Sequence, residues 1–577
     1  YPLGDLAGVG VAFKVATALL GELPIELLDL VAIGTIADLV SLTDENRTFV
    51  KMGLQMIQTG DRIGLDVLLQ EAGVKKEAVS EESIGFTIGP RLNALGRLGE
   101  AAPGVELMTT FDEEQALEIA KYIDQQNNER KDIVTTIAKE ALDLIDPNAP
   151  VHILAKQGWH EGVLGIVAGR IMQETGKPTI ILAIDESGTT AKGSGRSISA
   201  LNLYEALNEV REQFTHFGGH HMAAGMTLPV ENIPFVQEHL AHFIEKNQID
   251  MANGQELLIS ESLAVSQATT TFIDQLRILA PFGTDNTVPT FVFKEITPTQ
   301  IRQIGADNAH LKFQMNQEGA QLDAIAFQMG PQADELAQGT SDVAGQLSIN
   351  EWNGRKKPQL MVTDFAVSGR QLFDFRGKNN QTRPIPSEAT AYLLFDEKNQ
   401  KFISDPTANI IVWSNQEELV EAVSQNQIEQ LVFVDCPVEA ITVKEIVEAT
   451  EIQRIYMMFI SPEEAYLNGM ASREQFATLY KFILQQKEVN LRSQLSKVAN
   501  YLNIQEKLLI FMIQVFFDLG FVTIESGVLN SIEKPDNRPL TESQVYQQRL
   551  KKIKTEEFLL YSDCQTIQQW LWNEEDK

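Results

Sequence analysis

The hydrophobic pattern changes period several times along the chain, and each change marks a place where one core ends and another begins. Residues 1–112 read as short helices around one strand. That strand is the nearly unbroken apolar run 30–36, which has the look of a buried parallel strand and leads into Ala37-Asp38. A carboxylate just past the C-terminal end of such a strand lies where open α/β folds place ligands. Residues 113–148 carry Leu117, Ala120, Ile123, Ile133, Ile137, Ala141 and Leu144 at helical spacing, predicting one connecting helix or two joined, stopped by Asp146-Pro147-Asn148. A second α/β unit follows over 149–250, with strands at 151–155 and 179–183 and a helix starting in 162–171 between them.

Residues 251–368 turn β-rich, with strands at 290–293, 311–314, 324–327, 342–349 and 359–367 and a short helix near 334–337. Five strands and one helix fit an OB-like barrel, a fold that often grips single strands, and fit an SH3-like barrel as well. Residues 369–387, polar and containing Pro and Gly, read as a linker. Over 388–470, strands at 391–395, 409–413, 430–434 and 454–459 alternate with helices. This is the pattern of a small doubly wound α/β unit, and without a Gly-rich phosphate loop it is assigned no cofactor. Residues 471–577 give helices at 474–485, 491–502 and 505–519 and a hairpin at 521–524 and 528–532, a winged-helix-like module. Such modules bind duplex DNA or other proteins, and the sequence does not choose. The fold class is therefore multidomain α/β.

A chain of 577 residues is too long for one core, so several are expected. No apolar run reaches membrane-span length, because the longest, 508–517, is interrupted by Gln514. There is no basic-then-apolar leader, and Cys436 and Cys564 form no metal or redox motif, which fits a reducing cytoplasm and no membrane. The net charge of −32 argues against a polyanionic partner for the surface as a whole. A metal-dependent nuclease needs carboxylates, however, and DNA contact needs only a locally basic groove. Motifs must decide. The chain opens at Tyr1 almost directly in Leu6-Ala7-Gly8-Val9-Gly10, followed by Phe13, Ala16, Leu19 and Leu20 at helical spacing. This reads as a cut inside a domain, with a processed N-terminus as the alternative.

Four segments carry chemistry. Asp38 is a candidate oxygen ligand for Mg²⁺ or Mn²⁺, against the plainer role of a loop or cap hydrogen bond. One carboxylate cannot hold a two-metal site. In Gly89-Pro90-Arg91-Leu92-Asn93-Ala94-Leu95-Gly96-Arg97, two arginines and an asparagine in a Gly/Pro-containing stretch can fork onto phosphate oxygens, or form a solvated turn. In Gly158-Trp159-His160-Glu161-Gly162, a strand leads to His160 at a helix N-terminus, where amides favour an anion and an imidazole can donate to a phosphate or a leaving oxygen. The fourth feature is the pair Gly193-Ser194-Gly195-Arg196-Ser197 and Phe217-Gly218-Gly219-His220-His221, whose glycines let backbone approach phosphate closely. Each is weak alone. Three of these loops in one α/β unit point to a phosphate-handling pocket.

These segments resemble the bacterial RecJ exonucleases of the DHH phosphoesterase superfamily. The strings that carry the resemblance are 7–14, 34–39, 89–98, 160–170, 193–197 and 218–225, with Ala280-Pro281-Phe282-Gly283-Thr284-Asp285-Asn286 similar to the family's lead-in to its OB domain. The tail from 388 is similar to the additional C-terminal region of Gram-positive RecJ proteins. The resemblance implies a DHH catalytic domain represented by 1–112, a DHH-associated domain at 149–250 and an OB domain at 251–368. It implies 5′-to-3′ hydrolysis of single-stranded DNA to nucleotides in recombination and repair, by a two-metal Mn²⁺ or Mg²⁺ site. Of the superfamily's Asp/His motifs only the one matching Asp38 is present; there is no Asp-x-Asp and no Asp-His-His, so the remaining ligands are expected in a missing N-terminal segment. By the same resemblance His160, Asp38 and Arg196 are catalytic, while Ser197, Gly219, His220 and His221 meet the phosphate. Arg91, Asn93, Arg97, Asn128 and Arg130 line the same cleft. The barrel is expected to hold the trailing strand through Trp352, Arg355 and Lys356, the basic run being equally a solvated hairpin tip. Single-strand-binding protein and a helicase are the implied partners. The rival functions are a phosphoesterase of short oligonucleotides or cyclic dinucleotides, and a non-catalytic single-stranded-DNA-binding protein.

Overall fold

The computed structural model describes residues 4–146, 149–249, 256–377, 385, 389–405, 408–486, 488–532 and 535–572. They form two compact units, one of residues 1–261, 269–291 and 351–357, the other of 262–268, 292–350 and 358–577.

The first unit opens with helices α1 (Gly8–Leu20), α2 (Leu28–Ala37), α3 (Asp44–Thr59), α4 (Ile63–Glu71), α5 (Gly89–Leu98), α6 (Ala102–Thr109) and α7 (Glu113–Leu142). The strand expected at 30–36 is helix α2, and Asp38 caps its C-terminal end instead of following a strand. The physical reason is burial on all sides. Val31, Ala32, Ile33, Thr35 and Ile36 are all buried, so α2 has no polar face to give it a helical period, and a short apolar run alone does not separate a buried strand from a buried helix. A π-helical turn, Ile84–Ile88, leads into α5 and seats it against α2, where a Cβ on Gly89 would come within 3.3 Å of the Ala37 methyl.

Helix α7 is single, capped by the Asp112 side chain, which accepts from the amides of Glu114 and Gln115. The first half of its buried stripe (Ala116, Ala120, Ile123) joins the helical core and the second half (Val134, Ile137, Ala138, Ala141) joins the core of the following sheet. Pro147 and Asn148, expected to stop it, lie outside the described residues. The sheet comprises β1 (His152–Gln157), β2 (Thr179–Ile184), β3 (Thr190–Arg196), β4 (His216–His220) and β5 (Ala223–Pro229) in the order β1-β2-β3-β5-β4. Only β1 and β2 are parallel, joined through α8 (Leu164–Thr175), while β3, β4 and β5 are antiparallel.

The barrel is built from β7 (Thr290–Ile304), β8 (His310–Gln317), β9 (Ala320–Ala326), β10 (Ser341–Trp352) and β11 (Arg355–Val367), with the two-residue β6 (Glu261–Ser262) beside β7. The order β10-β11-β9-β8-β7 closes through a β10–β7 pairing. Strands β9 and β11 are parallel, and a short helix (Ala333–Leu336) lies between β9 and β10. This connectivity is that of an OB fold and resolves the choice against an SH3-like barrel.

In the tail, β12 (Gln371–Asp374), β13 (Thr390–Leu394), β14 (Asn409–Val412), β15 (Gln430–Asp435) and β16 (Arg454–Ile460) form a parallel sheet in the order β12-β16-β15-β13-β14. The linker expected at 369–387 thus contains an edge strand, four residues too short to stand out from their polar surroundings; 378–384 and 386–388 lie outside the described residues. Helices α9 (Arg473–Gln486), α10 (Leu491–Leu502) and α11 (Glu506–Asp518) with β17 (Glu488–Asn490), β18 (Val522–Glu525) and β19 (Val528–Ser531) have winged-helix connectivity. Two further helices follow, α12 (Gln544–Tyr561), whose first turn packs Val545 and Tyr546 on that module's core, and α13 (Cys564–Trp572). Their Leu559, Ile567 and Leu571 enter the core of the parallel sheet with Leu372 and Ile455, so the single module expected over 471–577 is divided. No helix among the described residues is long and apolar enough to cross a membrane.

Candidate phosphate-binding site

Three arginines converge in the first unit where α5, α7 and β3 end or cross. Arg97 lies near the end of α5 and donates from Nη1 to the Gly162 carbonyl at 3.2 Å. Arg130 projects from α7, donates from Nη2 to Asn127 Oδ1 at 3.0 Å, and has a buried Nε with no partner among the described residues. Arg196 closes β3 and donates from Nη1 to Ser194 Oγ at 2.9 Å and to the Gly195 carbonyl at 2.8 Å. Burial first, and the neighbouring Arg97 charge second, depress the pKa of both Arg130 and Arg196. No carboxylate among the described residues forms an ion pair with any of the three. Like charges brought together and partly desolvated without a counter-ion are costly unless an anion is bound there.

Glycines make this convergence possible. A Cβ on Gly162 would stand 2.0 Å from the Arg97 carbonyl oxygen, and one on Gly165 would stand 2.8 Å from Arg196 Nη2. Arg196 therefore lies across the start of α8, whose outward-pointing amides add to the positive field. His160 stands at the same place. It is exposed, and its Nδ1 accepts from the Gly162 amide at 3.2 Å, which leaves the proton of a neutral ring on Nε2. Trp159 anchors this loop to α7 through Nε1 donating to Glu140 Oε2 at 2.8 Å. That bond, and then Lys156, hold the Glu140 carboxyl below its usual pKa.

The remaining expected site residues separate into groups. Arg91 is neutralised: its Nε and Nη2 lie 3.0 and 2.9 Å from Asp124 Oδ1, and its Nη1 donates to the Thr87 carbonyl. Asn128 donates to the other oxygen of Asp124 at 3.1 Å, so Asp124 fixes both. Asn93 is exposed on α5. Ser197 is buried, and its hydroxyl donates to the Leu201 carbonyl at 2.8 Å, so the hydroxyl at the arginine cluster is that of Ser194. Gly219 sits where β4 and β5 approach so closely that a Cβ would be 2.3 Å from the Ala223 carbonyl oxygen. His220 Nδ1 accepts from the Met222 amide at 3.4 Å, and His221 Nε2 lies 3.0 Å from the Ser199 carbonyl, stitching the two glycine-containing loops together. Trp352, Arg355 and Lys356 form the exposed β10–β11 hairpin tip, turned by Asn353 and Gly354, both at positive φ. Asp38 is exposed, and among the described residues no three His, Cys, Asp or Glu side chains group to hold a metal ion.

Reading the sequence alone missed Asp124, Asn127, Ser194 as the relevant hydroxyl, and Gly165. A signal existed for Ser194: it and Arg196 are two apart on a strand and so share a face, whereas Ser197 does not.

Comparisons with known proteins match the chain domain by domain. The family model described as the DHHA1 domain matches residues 148–246, that of the RecJ OB domain matches 259–364, and that of the single-strand DNA-specific exonuclease C-terminal domain matches 371–571. The chain is 38% identical to the single-stranded-DNA-specific exonuclease RecJ of Bacillus subtilis (strain 168), over 99% of this chain and 74% of that protein. It is 34% identical to the Haemophilus influenzae protein of the same name, over 63% of this chain and 68% of that one. Among solved structures, RecJ from Thermus thermophilus in complex with Mg²⁺ shares the fold at a TM-score of 0.56 and 24% identity, covering 88% of this chain and 77% of that one. The same protein in complex with Mn²⁺ gives 0.55 and 23%, with 88% and 72% covered. The chain belongs to the RecJ family of single-stranded-DNA-specific exonucleases.

Proposed function

We propose that this chain is the greater part of a 5′-to-3′ exonuclease that hydrolyses single-stranded DNA to nucleotides in recombination and repair, and that Arg97, Arg130 and Arg196 seat a phosphate of the strand. The observation that carries the reading is that these three guanidinium groups converge with no carboxylate partner among the described residues. Guanidinium forks match phosphate oxygens, and in a partly desolvated site they stabilise charge that develops on them. His160, with its proton on Nε2, is suited to donate to a phosphate oxygen or to the leaving oxygen. Asp124 positions Arg91 and Asn128 at the flank. The hairpin tip with Trp352, Arg355 and Lys356 adds a stacking and cationic contact for the strand.

The family points to a two-metal centre with Mn²⁺ or Mg²⁺, but the described residues do not supply one, since Asp38 is a single exposed carboxylate with no second and third ligand near it. We infer that the other ligands are carried by further polypeptide packed on the exposed apolar stripe of α1. Val11, Val15 and Leu19 recur there every four residues and are exposed, along with Leu20, Leu23 and Ile25. Single-stranded DNA is the partner; contacts with a single-strand-binding protein and a helicase, and a cytoplasmic location, go with the same reading.

The test is Mn²⁺-dependent nucleotide release from 5′-labelled single-stranded DNA, run on this chain and on the chain extended by its natural upstream coding sequence. The extended protein should digest long strands, leave dinucleotides and cyclic dinucleotides largely untouched, and lose activity in Asp38→Ala. Digestion by the chain as given would overturn this assignment of the ligands. Binding without digestion by both forms would favour a non-catalytic single-stranded-DNA-binding protein.

A further inference from the structure

Helix α7 carries more of the site than its own arginine. Its Asp124 fixes Arg91 and Asn128, and its Asn127 accepts from Arg130. Further along the same helix, Glu140 reaches a third group, the loop that presents His160. That loop leaves β1 at Gly158, whose φ of +87° lies in the left-handed region. Glu140 grips the chain on both sides of this turn, and with one oxygen. Its Oε2 lies 2.9 Å from Lys156 Nζ before the glycine and accepts from Trp159 Nε1 at 2.8 Å after it.

Trp159 is 6% exposed, in one core with Val134, Ile137, Ala138 and Ala141 of α7. A buried indole needs an acceptor for its N–H, and without one it either bears an unsatisfied donor or turns to find another. Either change moves the next residue, His160. Beyond His160 the loop is held again, by the Arg97 guanidinium on the Gly162 carbonyl at 3.2 Å and by the close approach of Gly162 to the Arg97 backbone. The Glu161–Lys192 pair between these points has both side chains more than half exposed, so it adds little. His160 therefore stands between two pins, one on Arg97 and one on the helix that carries Arg130. Proton transfer needs the donor within hydrogen-bond reach, and a misplacement of about 1 Å costs about 100-fold in rate.

We propose that Glu140, acting through the Trp159 indole, is a positioning residue for His160, keying the imidazole to the helix that carries Arg130 so that proton donor and phosphate seat keep one spacing. The proposal rests on the reading of His160 as the proton donor. The experiment measures kcat and KM for nucleotide release from 5′-labelled single-stranded DNA with Mn²⁺, on the chain extended by its natural upstream coding sequence. Trp159→Phe keeps a ring and removes the donor. Glu140→Ala removes the acceptor at a part-exposed position, which keeps the test open if Trp159→Phe folds poorly. Each should lower kcat by roughly 10- to 100-fold and leave KM within about twofold. The double variant should be no slower than either single one, because both break the same bond. Glu140→Gln, which keeps an acceptor oxygen, should recover most of the rate. In a His160→Ala background, Trp159→Phe should cost nothing further. Wild-type kcat in folded Trp159→Phe and Glu140→Ala, or the same fold loss from Trp159→Phe with and without His160, would overturn the positioning role and leave His160 as donor intact. A wild-type rate in His160→Ala would overturn His160 as donor, and the positioning role with it.

Discussion

At the scale of one residue, Arg130 carries the proposed phosphate seat most sharply. Its guanidinium is partly buried, repelled by Arg97, and has an Nε without a partner among the described residues. On the proposed reading, such a setting serves the ligand at the expense of stability. Arg130→Met keeps the volume and removes the charge, so it should raise unfolding stability by on the order of 1 kcal/mol in urea titrations while weakening strand binding. Arg196→Ala should lower affinity for a strand by roughly 30-fold or more, as expected when a charge-assisted contact is lost. Buried acid groups give a separate prediction. Burial pushes the Cys436 thiol and the Tyr456 phenol each up to about 12, so both stay protonated in the fold at pH values where the unfolded chain has lost the proton. The unfolded state then binds fewer protons, and stability should fall as pH rises from about 9 towards 12, by up to about 1.4 kcal/mol per unit for each group. Cys436 should correspondingly resist thiol reagents until the protein unfolds. His160, Arg97 and Arg196 stand out in the sequence because each sits in a glycine-containing string, and close approaches at Gly162 and Gly165 bring them together. Ser194 does not stand out over Ser197 there, because the choice needs the strand's parity, which three glycine-spaced residues do not advertise.

Among the elements, strands with alternating burial are easy to read and helices buried on all sides are not. The barrel strands alternate inward and outward, as in β8 with Leu311, Phe313 and Met315 inside, and each expected segment falls on one of them, although β7 runs on well past 293 and β9 begins four residues before 324. Helix α2 has no polar face, so its apolar run reads as a strand. Helix α11 is two-faced: Leu508, Leu509, Phe511, Met512, Ile513, Val515 and Phe516 are inside, while Lys507, Ile510, Gln514 and Phe517 form an exposed face on which Lys507 is engaged by the Pro462 carbonyl. The exposed face of this third winged-helix helix thus offers little basic surface to read a duplex. The terminal helices also carry weight that the sequence hides. Glu556 on α12 is fully buried, accepting from the Tyr466 amide at 2.8 Å and from Ser461, while Leu559 fills the parallel-sheet core. Leu559→Ala should therefore cost about 2–5 kcal/mol and lower the midpoint for loss of the sheet, although it lies beyond the winged-helix module.

For the molecule as a whole, the changes of hydrophobic period are a sound guide to the number of cores, because each core imposes its own period. They are a poor guide to where the chain returns to an earlier core, as α12 and α13 do, since a return leaves no local mark. Two compact units with several separate cores should not unfold in one step, and calorimetry should resolve more than one transition. The overall charge of −32 confines cation-rich surface to small places, the arginine cluster foremost. Whether that cluster seats a phosphate can be read from the affinity of this chain for single-stranded oligonucleotides carrying either a 5′ phosphate or a 5′ hydroxyl, compared with Arg196→Ala. A phosphate seat predicts tighter binding of the phosphorylated strand, by about tenfold, and loss of that difference in the variant. Equal affinity for the two strands in the wild-type chain, or a preference that survives Arg196→Ala, would contradict it.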